Sequence, residues 1–146
     1  MLGTEAVTKI LREKGFKVTP QRLAVYDALS STKSHPNAEM LYQMLQPSYP
    51  TMSLATVYKT MDIFAELGLI QVLNVGEDSY RYDAETASHP HIRCTECNRV
   101  DDIFDFQDEG LMNGVEAKTG YQLSGCQLYF FGRCPHCQEK ASALRH

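Results

Sequence analysis

Four of the five cysteines fall into two Cys-x-x-Cys pairs, Cys94/Cys97 and Cys134/Cys137, with 36 residues between them. Each pair bends the chain so that two thiolates converge, and two such knuckles complete a closed tetrahedral sulfur site for zinc. The second pair, "CPHC", also has the spacing of a dithiol redox centre. That chemistry needs a helix N-terminus within a βαβ unit to acidify the first thiol, and only nine residues follow Cys137. Structural zinc is the expectation, with Cys126 a core thiol.

A second constellation is built of nitrogen and oxygen. His89 and His91 flank Pro90, and residues two apart in an extended segment share a face, so both imidazoles can bind one ion. Asp102, on the next strand-like run, can close on them across a sheet, with Asp101 and Asp105 as competing carboxylates. Asp83 ends the run "YRYD", and His35, the one histidine of the N-terminal half, opens a helical segment. Three imidazoles and two carboxylates suit Fe(II), Mn(II) or, less selectively, Zn(II). Each has a plainer role too: His35 as a loop residue beside Pro36, the aspartates as strand-end charges. His136 and His146 are expected to face solvent.

The elements that must carry these residues follow from periodicity. "TEAVTKILREKG" puts Val7, Ile10 and Leu11 on one face and stops at Gly15. "VTPQRLAVYDALSS" has a capping Thr19, Pro20 in the first turn and a stripe of Leu23, Ala24, Tyr26 and Leu29. "HPNAEMLYQMLQ" is capped by Asn37 before Met40, Leu41, Met44 and Leu45. "MSLATVYKTMDIFAELG" runs from Ser53 to Gly68 and buries Leu54, Val57, Met61, Phe64 and Leu67. Two strand-like runs then flank Gly76-Glu77-Asp78, a hairpin signature. Helices closed by a hairpin predict a winged helix-turn-helix, whose last helix enters the major groove of DNA. Its outward residues, Ser53, Ala55, Thr56, Tyr58, Lys59 and Thr60, are small, hydroxylated, aromatic or basic and can approach bases and phosphates. A solvent-facing helix with one lysine would look the same.

From about residue 86 the pattern changes. "HIRCTE" and "RVDDIFDF" read as paired strands, "DEGLMNGVEAKTG" as a helix, "YQLSGCQLYFFGRC" as one long strand and "QEKASALRH" as a polar last turn. A division at "DAETASHP" gives domains over 1–84 and 89–146, with a hinge at about 84–88. In 146 residues each would be marginally stable alone, so a metal or a partner subunit is expected. No apolar run approaches the roughly 18 residues of a membrane helix, and "MLGTEAVTKILREKG" has no signal-peptide core, which points to a cytoplasmic protein. Net charge is −4, so any nucleic-acid contact must come from a local patch or a dimer. The acidic excess between Asp101 and Glu116 reads as a solvated face or as hard-cation ligands.

In order and over nearly the whole chain, "HP.AE.LY", "P.MSLATVYKTM", "YRYD", "HPHIRCTECNRVDD" and "CPHC" resemble the ferric uptake regulator (Fur) superfamily. That resemblance implies an α+β protein: an N-terminal winged helix-turn-helix DNA-binding domain followed by a C-terminal α/β dimerisation domain with structural zinc. It implies a homodimeric, metal-responsive repressor of operator DNA, not an enzyme. Cys94, Cys97, Cys134 and Cys137 match the zinc site, and His35, Asp83, His89, His91 and Asp102 the regulatory Fe(II) or Mn(II) site. Aspartates at 83 and 102 are closest to the peroxide-sensing (PerR) branch, which implies release of DNA when Fe(II) and peroxide oxidise His89 or His91. Lys59, where that branch commonly has asparagine, departs from it, and Ser88, Pro90 and Cys126 stand where many iron sensors have a further metal site. The rival readings are an iron or manganese sensor without peroxide chemistry, a non-haem iron enzyme using His89, His91 and a carboxylate, and a zinc-stapled interaction module.

Overall fold

A computed structural model of the protein describes residues 1–76, 79–107 and 109–144. The chain folds as two units, Met1–Ala87 and Ser88–His146. Glu77 and Asp78, in the turn expected between the hairpin strands, and His146 at the terminus lie outside the described residues.

Caps and apolar stripes set the helices of the first unit. Helix α1 (Thr4–Glu13) buries Val7 and Leu11. It ends in a Schellman turn: Gly15, at φ 80°, donates to Arg12 O at 3.1 Å, and Phe16 N–H to Leu11 O at 2.9 Å. In α2 (Pro20–Ser30) the Thr19 hydroxyl accepts from Arg22 N–H, and in α3 (Ala38–Leu45) Asn37 accepts from Met40 N–H. Helix α4 (Leu54–Glu66) starts with Ser53 accepting from Thr56 N–H at 3.1 Å. It stops at Gly68, φ 71°, in a second Schellman turn.

The buried faces differ from expectation at three positions. Met40 and Met44 are exposed, because Ala38, Leu41 and Leu45 already fill the one face that this short helix turns to the core. Thr60 is buried rather than outward; its hydroxyl donates to Thr56 O at 2.7 Å, which satisfies the one polar atom brought inside. The core itself gathers Leu11, Leu29, Leu41, Val57, Met61 and Phe64, with Tyr26 edge-on to Phe64 at 5.7 Å. Fully burying such a side chain contributes roughly 1.5–3 kcal/mol. Strands β1 (Gln71–Leu73) and β2 (Arg81–Asp83) close the unit as an antiparallel pair in which Gln71 faces Asp83.

In the second unit, β3 (His91–Cys94) is the centre of a three-stranded sheet. It pairs antiparallel with β4 (Val100–Asp102) and parallel with β5 (Tyr129–Gly132). The long strand expected over "YQLSGCQLYFFGRC" is only these four residues. Its partner β3 is equally short, bounded by Pro90 and by the cysteine knuckle, and a strand cannot pair beyond its neighbour. Helix α5 (Glu109–Thr119) buries none of its described residues. Where a polar last turn was expected, α6 (Pro135–Leu144) is a helix started by Pro135 at its first position. Among the described residues, the buried apolar side chains of this unit are Cys94, Val100 and Cys137.

Candidate metal centres and nucleic-acid interface

The four paired cysteines come together. Cys94 ends β3, and a turn through Asn98 (φ 60°) brings Cys97 back beneath it, with Asn98 N–H donating to Cys94 O at 3.0 Å. Cys134 precedes α6, and its sulfur caps the helix by accepting from Cys137 N–H at 3.4 Å. The four sulfurs lie within 4.8 Å of one another. Cys94 and Cys137 are 3.8 Å apart, and Cys97 and Cys134 3.9 Å. Zn–S bonds of about 2.3 Å in a tetrahedron set sulfurs about 3.8 Å apart, so the cluster has the size of a zinc site. Sulfur contacts run between the two motifs, Cys94 to Cys137 and Cys97 to Cys134, as a four-cysteine metal site requires. The helix N-terminus that redox chemistry would need is present, and here it supplies an N–H donor to the Cys134 sulfur.

Electrostatics divide the metal-free thiols. Backbone N–H donors from Cys97 and Cys134 hold Cys94 down to about 6, whereas burial pushes Cys137 up to about 12. A bound dication would resolve the conflict, because a coordinated thiol is deprotonated outright. Cys126, expected in the core, is only half-buried, since the segment before β5 runs over the surface. His136 faces solvent on the exposed side of α6.

The nitrogen and oxygen candidates form a cluster within each unit. In the first, His35 and Asp83 are both buried, with Nδ1 3.6 Å from Oδ2. His35 sits at φ 50°, a left-handed conformation that costs a non-glycine residue about 1–3 kcal/mol and persists only where its surroundings hold it. Asp83 Oδ1 accepts from Glu85 N–H at 2.8 Å, which fixes the carboxylate at the end of β2. In the second unit the register His91↔Asp102 brings one carboxylate oxygen to both imidazoles. Oδ1 lies 2.7 Å from His89 Nε2 and 3.1 Å from His91 Nε2. The two rings are 4.5 Å apart, with Phe104 stacked on His89 and Tyr129 on His91.

Strand alternation settles the choice of carboxylate. Asp101 points the other way, to Arg99 Nη2 at 2.8 Å, and Asp105 lies beyond β4 on an exposed turn. Two imidazoles and a carboxylate converging at these distances fit a borderline divalent ion, and His35–Asp83 is a second donor pair of the same chemistry. The sequence reading passed over Arg81, a buried cation two residues before Asp83, whose Nη1 donates to His35 O at 3.1 Å. The alternation within "YRYD" was the available signal, since Arg81 and Asp83 share a strand face.

Helix α4 turns Ala55, Tyr58 and Lys59 to solvent, with Ser53 exposed at the cap and Thr56 half-buried, its hydroxyl 2.9 Å from that of Ser53. Small side chains at a helix N-terminus let the backbone approach a phosphate closely.

Residues 13–131 match the Ferric uptake regulator family. The chain is 50% identical over 135 residues to the "Transcriptional regulator PerR" of Clostridium acetobutylicum, covering 92% of this chain and 98% of that protein. Among solved structures it is similar to PerR from Streptococcus pyogenes, at 29% identity and a TM-score of 0.55 over 94% of this chain and 95% of that one. It is also similar to the ferric uptake regulator of Vibrio cholerae, at 28% identity and a TM-score of 0.76 over 88% and 99%. No helix among the described residues is long and apolar enough to cross a membrane. With a family match over most of its length, and 50% identity to one relative over 135 aligned residues, the chain belongs to the ferric uptake regulator family.

Proposed function

We propose that the protein is a metal-dependent transcriptional repressor that binds operator DNA as a homodimer and senses peroxide. The observation that carries this is the approach of His89 and His91 to one oxygen of Asp102 in the second unit, with a further donor pair, His35–Asp83, in the unit that carries α4. Each cluster offers donors of the chemistry that Fe(II) or Mn(II) takes, and metal that binds the DNA-binding conformation more tightly than the others shifts the population toward it. Ser53, Ala55, Thr56, Tyr58 and Lys59 make the groove and phosphate contacts, and zinc on the four cysteines holds the dimerisation unit. The apolar side chains left exposed there, Phe104, Leu111, Val115 and Phe131, supply the contact with a second copy.

Peroxide sensing is supported by the 50% identity to a protein named PerR and by the S. pyogenes structure, whose subject is peroxide sensing and gene regulation by PerR. Bound Fe(II) supplies electrons for peroxide reduction and so the chemistry that oxidises a ligand imidazole. An oxidised His89 or His91 would be a poorer donor, which would weaken metal binding and so release the operator. The protein is a regulator, not an enzyme, and works in the cytoplasm where its operators are. A non-haem iron enzyme would leave α4 and the hairpin without a role.

Fluorescence anisotropy on a two-fold-symmetric operator, recovered by selection with Mn(II)-loaded protein, tests this across apo, Mn(II), Fe(II) and Fe(II)-plus-peroxide forms. Metal should tighten binding by about 5- to 150-fold, the usual range of allosteric coupling. Peroxide should reverse this for the Fe(II) form alone and add oxygen to His89 or His91. An Fe(II) form that stays on DNA after peroxide, with both histidines unmodified, is an iron or manganese sensor without peroxide chemistry. A protein that binds DNA in no metal state is neither.

A further inference from the structure

Arg81 is 3% exposed, a cation enclosed by the N-terminal unit. It lies on β2 two residues before Asp83, so both side chains leave the same face of the strand. Along that strand the segment from His35 to Asn37 is held at successive points. Arg81 Nη1 donates to His35 O at 3.1 Å, Tyr82 N–H donates to Pro36 O at 3.1 Å, and Asn37 Nδ2 reaches Ser79 Oγ at 3.4 Å. The same guanidinium nitrogen lies 4.0 Å from Met40 Sδ in the first turn of α3, the helix this segment opens. His35, left-handed at φ 50°, is thus held at its carbonyl and through the two residues that follow it, and in that conformation its Nδ1 is 3.6 Å from Asp83 Oδ2. A left-handed imidazole-bearing residue has a reason to be there only if its surroundings enforce it, and Arg81 holds its carbonyl.

We propose that Arg81 is a positioning residue for the regulatory metal: it holds the His35 carbonyl so that the His35 imidazole and the Asp83 carboxylate form a preorganised donor pair. It touches no ion itself. Without it, His35 relaxes toward ordinary backbone conformations, and the ion must reorder the loop on binding. This inference rests on the reading of His35 as a ligand, and the experiment separates the two.

Mn(II) affinity is measured by electron paramagnetic resonance of free Mn(II), using the full zinc-loaded chain in four forms: unmodified, Arg81→Met, His35→Ala and the double variant. Arg81→Met should weaken Mn(II) binding by about 10- to 100-fold, the range found for groups that orient metal ligands. In the His35→Ala background the same substitution should change affinity by no more than about two-fold, because its effect passes through His35. In the metal-free chain, Arg81→Met should also shift the His35 imidazole nitrogen resonances. Should Arg81→Met fail to fold, Arg81→Lys, which keeps the charge, should show a smaller loss again confined to the His35 background. An equal loss in both backgrounds would show that Arg81 merely supports the fold and would overturn the proposal. So would an unchanged affinity on Arg81 substitution in the His35-containing chain. If His35→Ala itself leaves Mn(II) affinity intact, the ligand assignment fails first and the role of Arg81 falls with it.

Discussion

Asp101 and Asp102 are neighbours in sequence and identical in chemistry, yet one is an exposed partner of Arg99 and the other bridges two imidazoles. The pleat separates them: successive side chains of β4 leave opposite faces, and the register with β3 gives Asp102 to His91. Asp102→Asn should therefore weaken Mn(II) binding at least about ten-fold. Asp101→Asn loses only a surface ion pair and should leave Mn(II) affinity within about two-fold. Equilibrium dialysis with Mn(II) distinguishes them, and equal losses would refute the register argument. The cysteine types and spacing were enough to name zinc, because four thiolates in two tight pairs have few other uses in one chain. Choosing among three nearby aspartates was not possible from spacing alone, since a shift of one residue along a strand reverses the face.

At the scale of single elements, local chemistry did most of the work. Thr19, Asn37 and Ser53 each cap the helix they precede, and Gly15 and Gly68 each end one. Such signals are legible in sequence because they act within one turn of the chain. Ser53→Ala should cost about 1 kcal/mol of stability through the uncapped Thr56 N–H, and it removes a hydroxyl from the proposed DNA face. Thermal unfolding followed by circular dichroism reads the first effect, and unchanged stability would mean the cap is not formed in solution. Lys59→Ala should lower the dependence of log K on log[salt] by about one unit per contacted phosphate, with metal affinity unchanged. An unaltered salt slope would remove Lys59 from the interface. The misread elements fail for the opposite reason. The length of β5 is limited by a partner strand 35 residues and more away, and which face of α3 is buried depends on where α2 and α4 lie.

The whole molecule divides its stability unevenly. The first unit has a conventional core around Phe64, Leu11 and Met61, whereas two of the three buried apolar side chains described in the second, Cys94 and Cys137, belong to the four-cysteine cluster proposed to hold zinc. A unit so poor in core would draw folding free energy from the metal and the partner subunit proposed for it. Stripping zinc with a strong chelator under reducing conditions should abolish hydrogen-exchange protection in β3 and β5 and dissociate the dimer. Protection in α1–α4 should persist. Loss of protection in both units together would mean that the first unit's core does not sustain it alone.

Residue types, pair spacings and periodicity were sufficient to expect the four N-terminal helices with their caps and two cysteine pairs that meet, because each helix, cap and pair is written in neighbours a few residues apart, while the family followed from the resemblance of motifs along the chain. The tertiary structure alone decided which aspartate meets His89 and His91, how short β5 is, that Thr60 turns inward, and that Arg81 holds the His35 carbonyl. All of these depend on pairings between segments distant in sequence, where burial and register, not local preference, set the geometry.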